Sequence, residues 1–421
     1  MKPIFTYAGI KLSLIILLFF SFASTEIKAQ FTYGYVFKPK RKKVEIPFEW
    51  QCNLMVVRIR INESDTLNFI LDTGVGMNLI TDPKVAQSLS LHYIKKIDIM
   101  GAGSGEPLEA RIAIDNKIKL TGLYATGQSI VALSQDVLAL SEFIGMPIHG
   151  VFGYDVFRSF VVKINYSTRI ITLYHPKYFK YNKKQGEKIP LKLEGDKPYI
   201  MAQSTMPDNK QIPLKLILDT GAGHGLSLER SGNPNIFLPT KTKYAHLGRG
   251  LNGPIDGHIG RLSSFKLGTF ELTNVIASFP DTNTKSSKIM LQTGRQGNLG
   301  CEILKRFHVT FNYEEGYVIL KSNKKNFKQP FERDMSGLSI RAGGEKFSRF
   351  FVEVVEADSP ASEAGVEAGD EIISINNRMS RYENLNDIYK HLQKGEGKTI
   401  KLFMKRNNQF YYTEFILKQM I

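Results

Sequence analysis

Asn68-Phe69-Ile70-Leu71-Asp72-Thr73-Gly74-Val75-Gly76 and Lys215-Leu216-Ile217-Leu218-Asp219-Thr220-Gly221-Ala222-Gly223 are two copies of one pattern. Each is an apolar run of strand length that ends in Asp-Thr-Gly. The run reads as a buried strand, and the glycine permits a tight turn and the close approach of another backbone. An aspartate is therefore delivered at the tip of a buried strand, where the chain folds back. Taken singly, the tripeptide also suits an ordinary Asx turn. The surroundings repeat as well. Asp219 lies 147 residues after Asp72, and the same offset relates Gly153 to Gly300, Asn165-Tyr166 to Asn312-Tyr313, Gly101 to Gly248, and Gly103 to Gly250. An ungapped offset held over so much chain is an internal duplication, running over about residues 50–174 and 198–320.

Two Asp-Thr-Gly loops, each preceded by hydrophobics and followed by an apolar run ending in glycine (Gly150-Val151-Phe152-Gly153 and Gly297-Asn298-Leu299-Gly300), resemble the two lobes of an aspartic peptidase. Asp219 to Ala222 is similar to the retroviral form and the two-lobed single chain to the pepsin form. The resemblance implies a mainly β fold with a pair of acid-protease-like β-barrels, and Asp72 and Asp219 as the catalytic pair, with no cofactor and no metal. It implies that Thr73 and Thr220 hydrogen-bond across the lobes and that Gly74 and Gly221 leave room for that approach. Two carboxyls so close share one proton, which supplies a base and an acid to one water. In the pepsin form a Ser or Thr after each glycine donates to the ionised carboxylate. Val75 and Ala222 stand there, so the pair is expected to titrate higher and to work toward neutral pH. Val75 is bulkier than the family's usual residue.

Further along, the Gly-rich stretch around Gly101 and Gly103 has strand-like residues on both sides and no GK[ST] after it, so it reads as a hairpin tip rather than a phosphate loop. Its counterpart holds Gly248 and Gly250. The resemblance makes these tips flaps over the substrate, although no residue is assignable as the flap tyrosine. Asp82-Pro83 starts a helix, and a second short helix is expected over residues 134–143. Asp155 and Glu302 are expected to cap helical turns.

Residues 321–334 read as a polar, basic linker. Ser336 onward, and above all the run from Ala364 to Asn376, resembles a PDZ domain: α+β, a five- to six-stranded partly open barrel with two helices. Its groove-side helix is expected over residues 382–393. Gly337, Leu338, Ser339 and Ile340 are then the loop whose N–H groups receive a peptide carboxylate, with serine in place of the usual second glycine. The domains are 1–29 export signal, 30–180 and 181–325 the two lobes, 326–335 linker, and 336–421 PDZ.

The chain of 421 residues is 42% hydrophobic and 23% charged, ordinary for globular domains. Its net charge of +16 is scattered, without the interleaved aromatics of a nucleic-acid groove. Basic residues followed by an apolar stretch from Leu12 to Ala23, too short to span a membrane, read as an export signal ending at Ala29. That places the protein in the periplasm or outside the cell. Cys52 and Cys301 are compatible with a bridge or with two buried thiols. Two functions fit these features: an exported aspartic endopeptidase acting on peptides or proteins with a peptide-binding PDZ module, or an inactive two-lobed peptide binder.

Overall fold

The computed structural model describes residues 34–39, 41–103, 105–231, 233–281 and 294–421. The export signal expected at 1–29 and Ser104 at the first hairpin tip lie outside them.

The first lobe contains β1 (Leu54–Ile61), β2 (Leu67–Leu71), β3 (Asn78–Ile80), α1 (Pro83–Ser88), β4 (His92–Ile99), β5 (Leu108–Leu120), β6 (Leu123–Leu133), α2 (Leu140–Ile144), β7 (Gly150–Phe152), α3 (Tyr154–Ser159), β8 (Val161–Asn165) and β9 (Ile170–Tyr174). The second repeats the plan with β10 (Lys197–Thr205), β11 (Gln211–Leu218), β12 (Leu226–Leu228), β13 (Thr242–Gly250), β14 (Gly253–Leu267), β15 (Phe270–Pro280), β16 (Gly297–Leu299), α4 (Cys301–Leu304), β17 (Phe307–Asn312) and β18 (Tyr317–Ser322). Strand order is β6-β3-β7-β2-β1-β5-β4 in the first lobe and β10-β11-β16-β12-β15-β14-β13 in the second. The additional β5–β6 and β10–β14 pairings curl each sheet back on itself.

The alternation in β1 shows why these residues make strands. Ile59 and Ile61 are buried while Arg58 and Arg60 face solvent, as a period of two requires. The short strands β7 and β16 are buried between neighbours and run parallel to the strands that carry the aspartates (Phe152 opposite Leu71, Leu299 opposite Leu218).

The two halves meet in a shared sheet. β8 pairs antiparallel with β17, Val162 opposite Phe311 and Asn165 opposite His308. Equivalent strands of the repeat thus face each other about an approximate two-fold axis. Phe157 packs edge-on to Phe311 and stacks on Tyr313 across this seam, so one hydrophobic core runs through both lobes.

The C-terminal module has its own core, including Leu338, Phe350, Ile372, Ile388 and Leu402. Its sheet runs β19 (Leu338–Gly343), β20 (Arg349–Val355), β21 (Glu371–Ile375), β22 (Thr399–Arg406), β23 (Gln409–Ile416), with α5 (Pro360–Glu363) and α6 (Leu385–Leu392). No described helix is long and apolar enough to cross a membrane.

Three expectations are corrected. The helix placed at 134–143 is α2, because the Asp136 carboxylate takes the Ala139 N–H (3.0 Å) and holds a turn ahead of it. The groove-side helix starts only at Leu385, where the Asn384 side chain caps it. The stretch between lobe and module is not a free linker. Buried Arg306 donates to the carbonyls of Asn326, Gln329 and Pro330 and lies over the Phe331 ring.

Candidate active site

Each aspartate sits just past its strand, and the parallel neighbour fixes it there. The Asp72 N–H donates to the Phe152 carbonyl (2.8 Å) and the Asp219 N–H to the Leu299 carbonyl (2.9 Å). Gly153 and Gly300 follow those carbonyls where no side chain fits. A Cβ on Gly153 would lie 1.7 Å from the Asp72 carbonyl oxygen.

The two loops grip each other reciprocally. Thr73 N–H donates to Thr220 Oγ1 (3.0 Å) and Thr220 N–H to Thr73 Oγ1 (2.9 Å). Each hydroxyl then donates onward across the seam, Thr73 to the Leu218 carbonyl (2.5 Å) and Thr220 to the Leu71 carbonyl (2.9 Å). Both threonines are 1% exposed or less, so every one of these groups depends on its partner. Gly74 and Gly221 turn their N–H groups onto Oδ1 of Asp72 (2.5 Å) and of Asp219 (3.0 Å). A Cβ on Gly221 would lie 2.1 Å from Cγ of Asp72.

The carboxyls of Asp72 and Asp219 face each other across the seam, so that a Cβ on Gly74 would lie 3.1 Å from Oδ1 of Asp219. Burial, and then the charge of Asp219, push the Asp72 carboxyl well above the usual carboxylate range, against the pull of the Gly74 N–H.

The surroundings of the two aspartates differ. Asn298 Nδ2 donates to Asp219 Oδ2 (2.8 Å), and Arg295 donates to Asn298 Oδ1. The positions 147 residues earlier are Val151 and Ile148, with nothing to donate to Asp72. Asn298 and Arg295 carry no local motif; their mark in the sequence is two polar residues standing opposite two apolar ones of the repeat. Elsewhere the repeats keep a role while changing the residue. His149 Nδ1 accepts from the Asn68 N–H (2.9 Å), and Gln296 Oε1 accepts from the equivalent Lys215 N–H (2.6 Å).

Asp155 and Glu302 do not cap: Gly153 and Gly300 occupy the cap positions, without side-chain cap bonds. Asp155 instead receives Asn78, and Glu302 joins Asn53, Lys305 and Arg306 in a polar cluster. Both cysteines are free thiols. Cys301 donates to the Thr220 carbonyl (3.4 Å), and Cys52 to the Phe143 carbonyl (3.4 Å).

A family model described as aspartyl protease matches residues 57–156 and again 205–303, and one described as PDZ domain matches residues 351–406. The chain is a bilobal aspartyl-protease family member with a C-terminal PDZ domain. No curated protein matches it.

In this aspartyl-protease chain the two Gly-rich hairpin tips meet. Asn252, 4% exposed, donates its N–H to the Ala102 carbonyl (2.9 Å) and accepts from the Gly105 N–H (2.6 Å). Its side chain bonds the Gly101 N–H and the Glu106 carbonyl. The glycines make this fit: a Cβ on Gly250 would lie 2.2 Å from the Ala102 oxygen and one on Gly103 2.5 Å from the Asn252 backbone. Gly248 serves differently, at φ +134 beside a β-bulge.

Of the four residues expected in the PDZ loop, Gly337 precedes β19 while Leu338, Ser339 and Ile340 lie in that strand, and N–H groups there are already used. Gly337 and Leu338 N–H groups donate to the Asp334 carboxylate (2.6 and 3.2 Å). The Ile340 N–H donates to the Tyr389 hydroxyl (3.0 Å), which returns a bond to the Ile340 carbonyl (3.2 Å). Ser339 sits at a bulge against β20. The Asp334 carboxyl is pushed up to about 6 by burial, against the loop's hydrogen bonds. The first lobe also covers this wall. Glu142 of α2 pairs with Arg341 of β19 (3.0 Å), and a Cβ on Gly145 would lie 3.2 Å from Leu385 Cβ. Of the N–H groups from Gly337 to Ile340 expected to receive a peptide carboxylate, those of Gly337, Leu338 and Ile340 are engaged within the chain in this conformation.

Proposed function

We propose that the protein is an aspartic endopeptidase that hydrolyses peptide bonds in peptides or proteins. The observation that carries this reading is the pair of facing carboxyls on two loops locked by reciprocal threonine bonds. With one proton between them, the ionised carboxylate takes a proton from water while the water oxygen attacks the peptide carbonyl carbon. The protonated carboxyl gives its proton to the carbonyl oxygen. A neutral gem-diol results, with no covalent link to the protein. It collapses as the C–N bond breaks and the nitrogen takes up a proton. The two titration steps are properties of the pair as a whole.

The raised Asp72 carboxyl gives the pH dependence its sign. A pair that keeps its single proton to higher pH stays competent toward neutrality, and loses activity as pH rises through that proton's release. The expected kcat/KM profile has its maximum above about pH 3, between the two steps that run about 1.5 and 4.7 in pepsin and beyond them. A maximum below that would contradict the reading.

The meeting tips supply a gate, because a peptide enters only when the Asn252 bonds part. Asn252→Ala removes two of them. Amide exchange at Gly101 is expected to speed about 10- to 30-fold, measured by hydrogen exchange; unchanged exchange would detach Asn252 from gating. The test of the function itself is digestion of a peptide library followed by mass spectrometry. Internal cleavages by the wild type are expected, and a library left intact at every pH would remove the assignment.

A further inference from the structure

The asymmetry at Asp219 deepens this reading and rests on it. We propose that Asn298, oriented by Arg295, is a positioning residue that holds Asp219 as the anionic partner of the pair and leaves the shared proton on Asp72.

The amide orientation follows from donor chemistry. A guanidinium only donates, so Asn298 must turn its oxygen to Arg295, which leaves its NH₂ aimed at Asp219 Oδ2. Arg295 is itself held by the Gly297 carbonyl (3.3 Å). Asp219 Oδ1 already accepts the Gly221 N–H, so both of its oxygens are served by fixed donors. A hydrogen bond to an ionised acceptor is about twice as strong as a neutral one, and the preference goes to the charged form. At Asp72 the matching side chain is Val151. The repeat has diverged just where two equivalent carboxyls need to become unlike. The donor missing at Val75 and Ala222 is replaced, on one side only, from the neighbouring strand.

Among the other groups facing the pair, His224 also stands on the Asp219 side. The His224 ring is half-buried, its desolvation pulls its pKa down toward the neutral form, and its buried Nε2 finds no hydrogen-bond partner among the described residues. Cys301 and Tyr313 are both pushed up by burial. Lys197 acts on Asp72 as a weak opposing charge. Arg295, half-buried, is the cation on the Asp219 side, and Asn298 is the link.

Two variants test this. Asn298→Leu removes the donor, and Asn298→Asp keeps the shape while offering a carboxylate. Aspartate carboxyls of ¹³C-labelled protein are titrated by NMR, and kcat/KM is measured against pH on a peptide the wild type cleaves. In Asn298→Leu the lower step of the pair and the acid limb of kcat/KM are both expected to move up by about one pH unit. Activity just below the limb then falls about tenfold while the plateau changes little. Asn298→Asp is expected to move both further. A wild-type-like titration in either folded variant overturns the proposal. If the wild type cleaves nothing, the peptidase reading fails alone, and the NMR steps still decide the role of Asn298.

Discussion

Asp72→Asn is expected to lower kcat at least about 10³-fold on any peptide the wild type cleaves, with KM within a few-fold. Asparagine has the shape of the carboxyl and keeps an oxygen for the Gly74 N–H, and its NH₂ can still meet Asp219. The loop therefore keeps its geometry. What is lost is a proton that can be given and taken back. Asp219→Asn should cost as much, because the chemistry needs both members of the pair. Steady-state kinetics, with a thermal melt as control, decide it. A variant retaining a tenth of the activity would mean that one carboxylate suffices, and the shared-proton mechanism would fall.

Gly153→Ala is expected to destabilise the fold by about 3–5 kcal/mol, at the far end of what single substitutions do. The cause is a steric overlap. It is the 1.7 Å between the added Cβ and the Asp72 carbonyl. To relieve it, β7 must move off β2, and the bond from the Asp72 N–H to Phe152 goes with it. Gly127→Ala is the control. It has φ +64 and nothing within 4 Å of a Cβ, so only left-handed strain of about 1–2 kcal/mol is expected. Urea unfolding of both variants separates the two causes. Equal losses would show that steric fit around the aspartate loop is not what the glycine provides.

The duplication made most of this architecture legible. Two Asp-Thr-Gly turns at one offset pointed to two equivalent halves, because close packing about a two-fold axis keeps residue identities at its centre, and the resemblance to aspartic peptidases implied the aspartate pair, the threonine grip and the role of the two hairpin tips. It was less informative where the halves had diverged. Arg295 and Asn298 look like unremarkable polar residues until the fold places them beside one aspartate only. The occupied PDZ loop was unreadable for another reason: a carboxylate that folds back from Asp334, and a lobe helix that lies against β19, are tertiary events with no local pattern. Glu302 looked like a cap by position, yet its nearest cations are Lys305 and Arg306, one turn along, and pairing with them took precedence over the cap.

The central claim is that the two carboxyls act as one unit on one water. Calorimetric titration with pepstatin, whose hydroxyl takes the place of that water, addresses it directly. One site per chain is expected for the wild type, with affinity at least about 100-fold weaker in Asp72→Asn and in Asp219→Asn alike, a loss of about 2.7 kcal/mol. Binding that survives either substitution unchanged, or a wild type that does not bind at all, would contradict it.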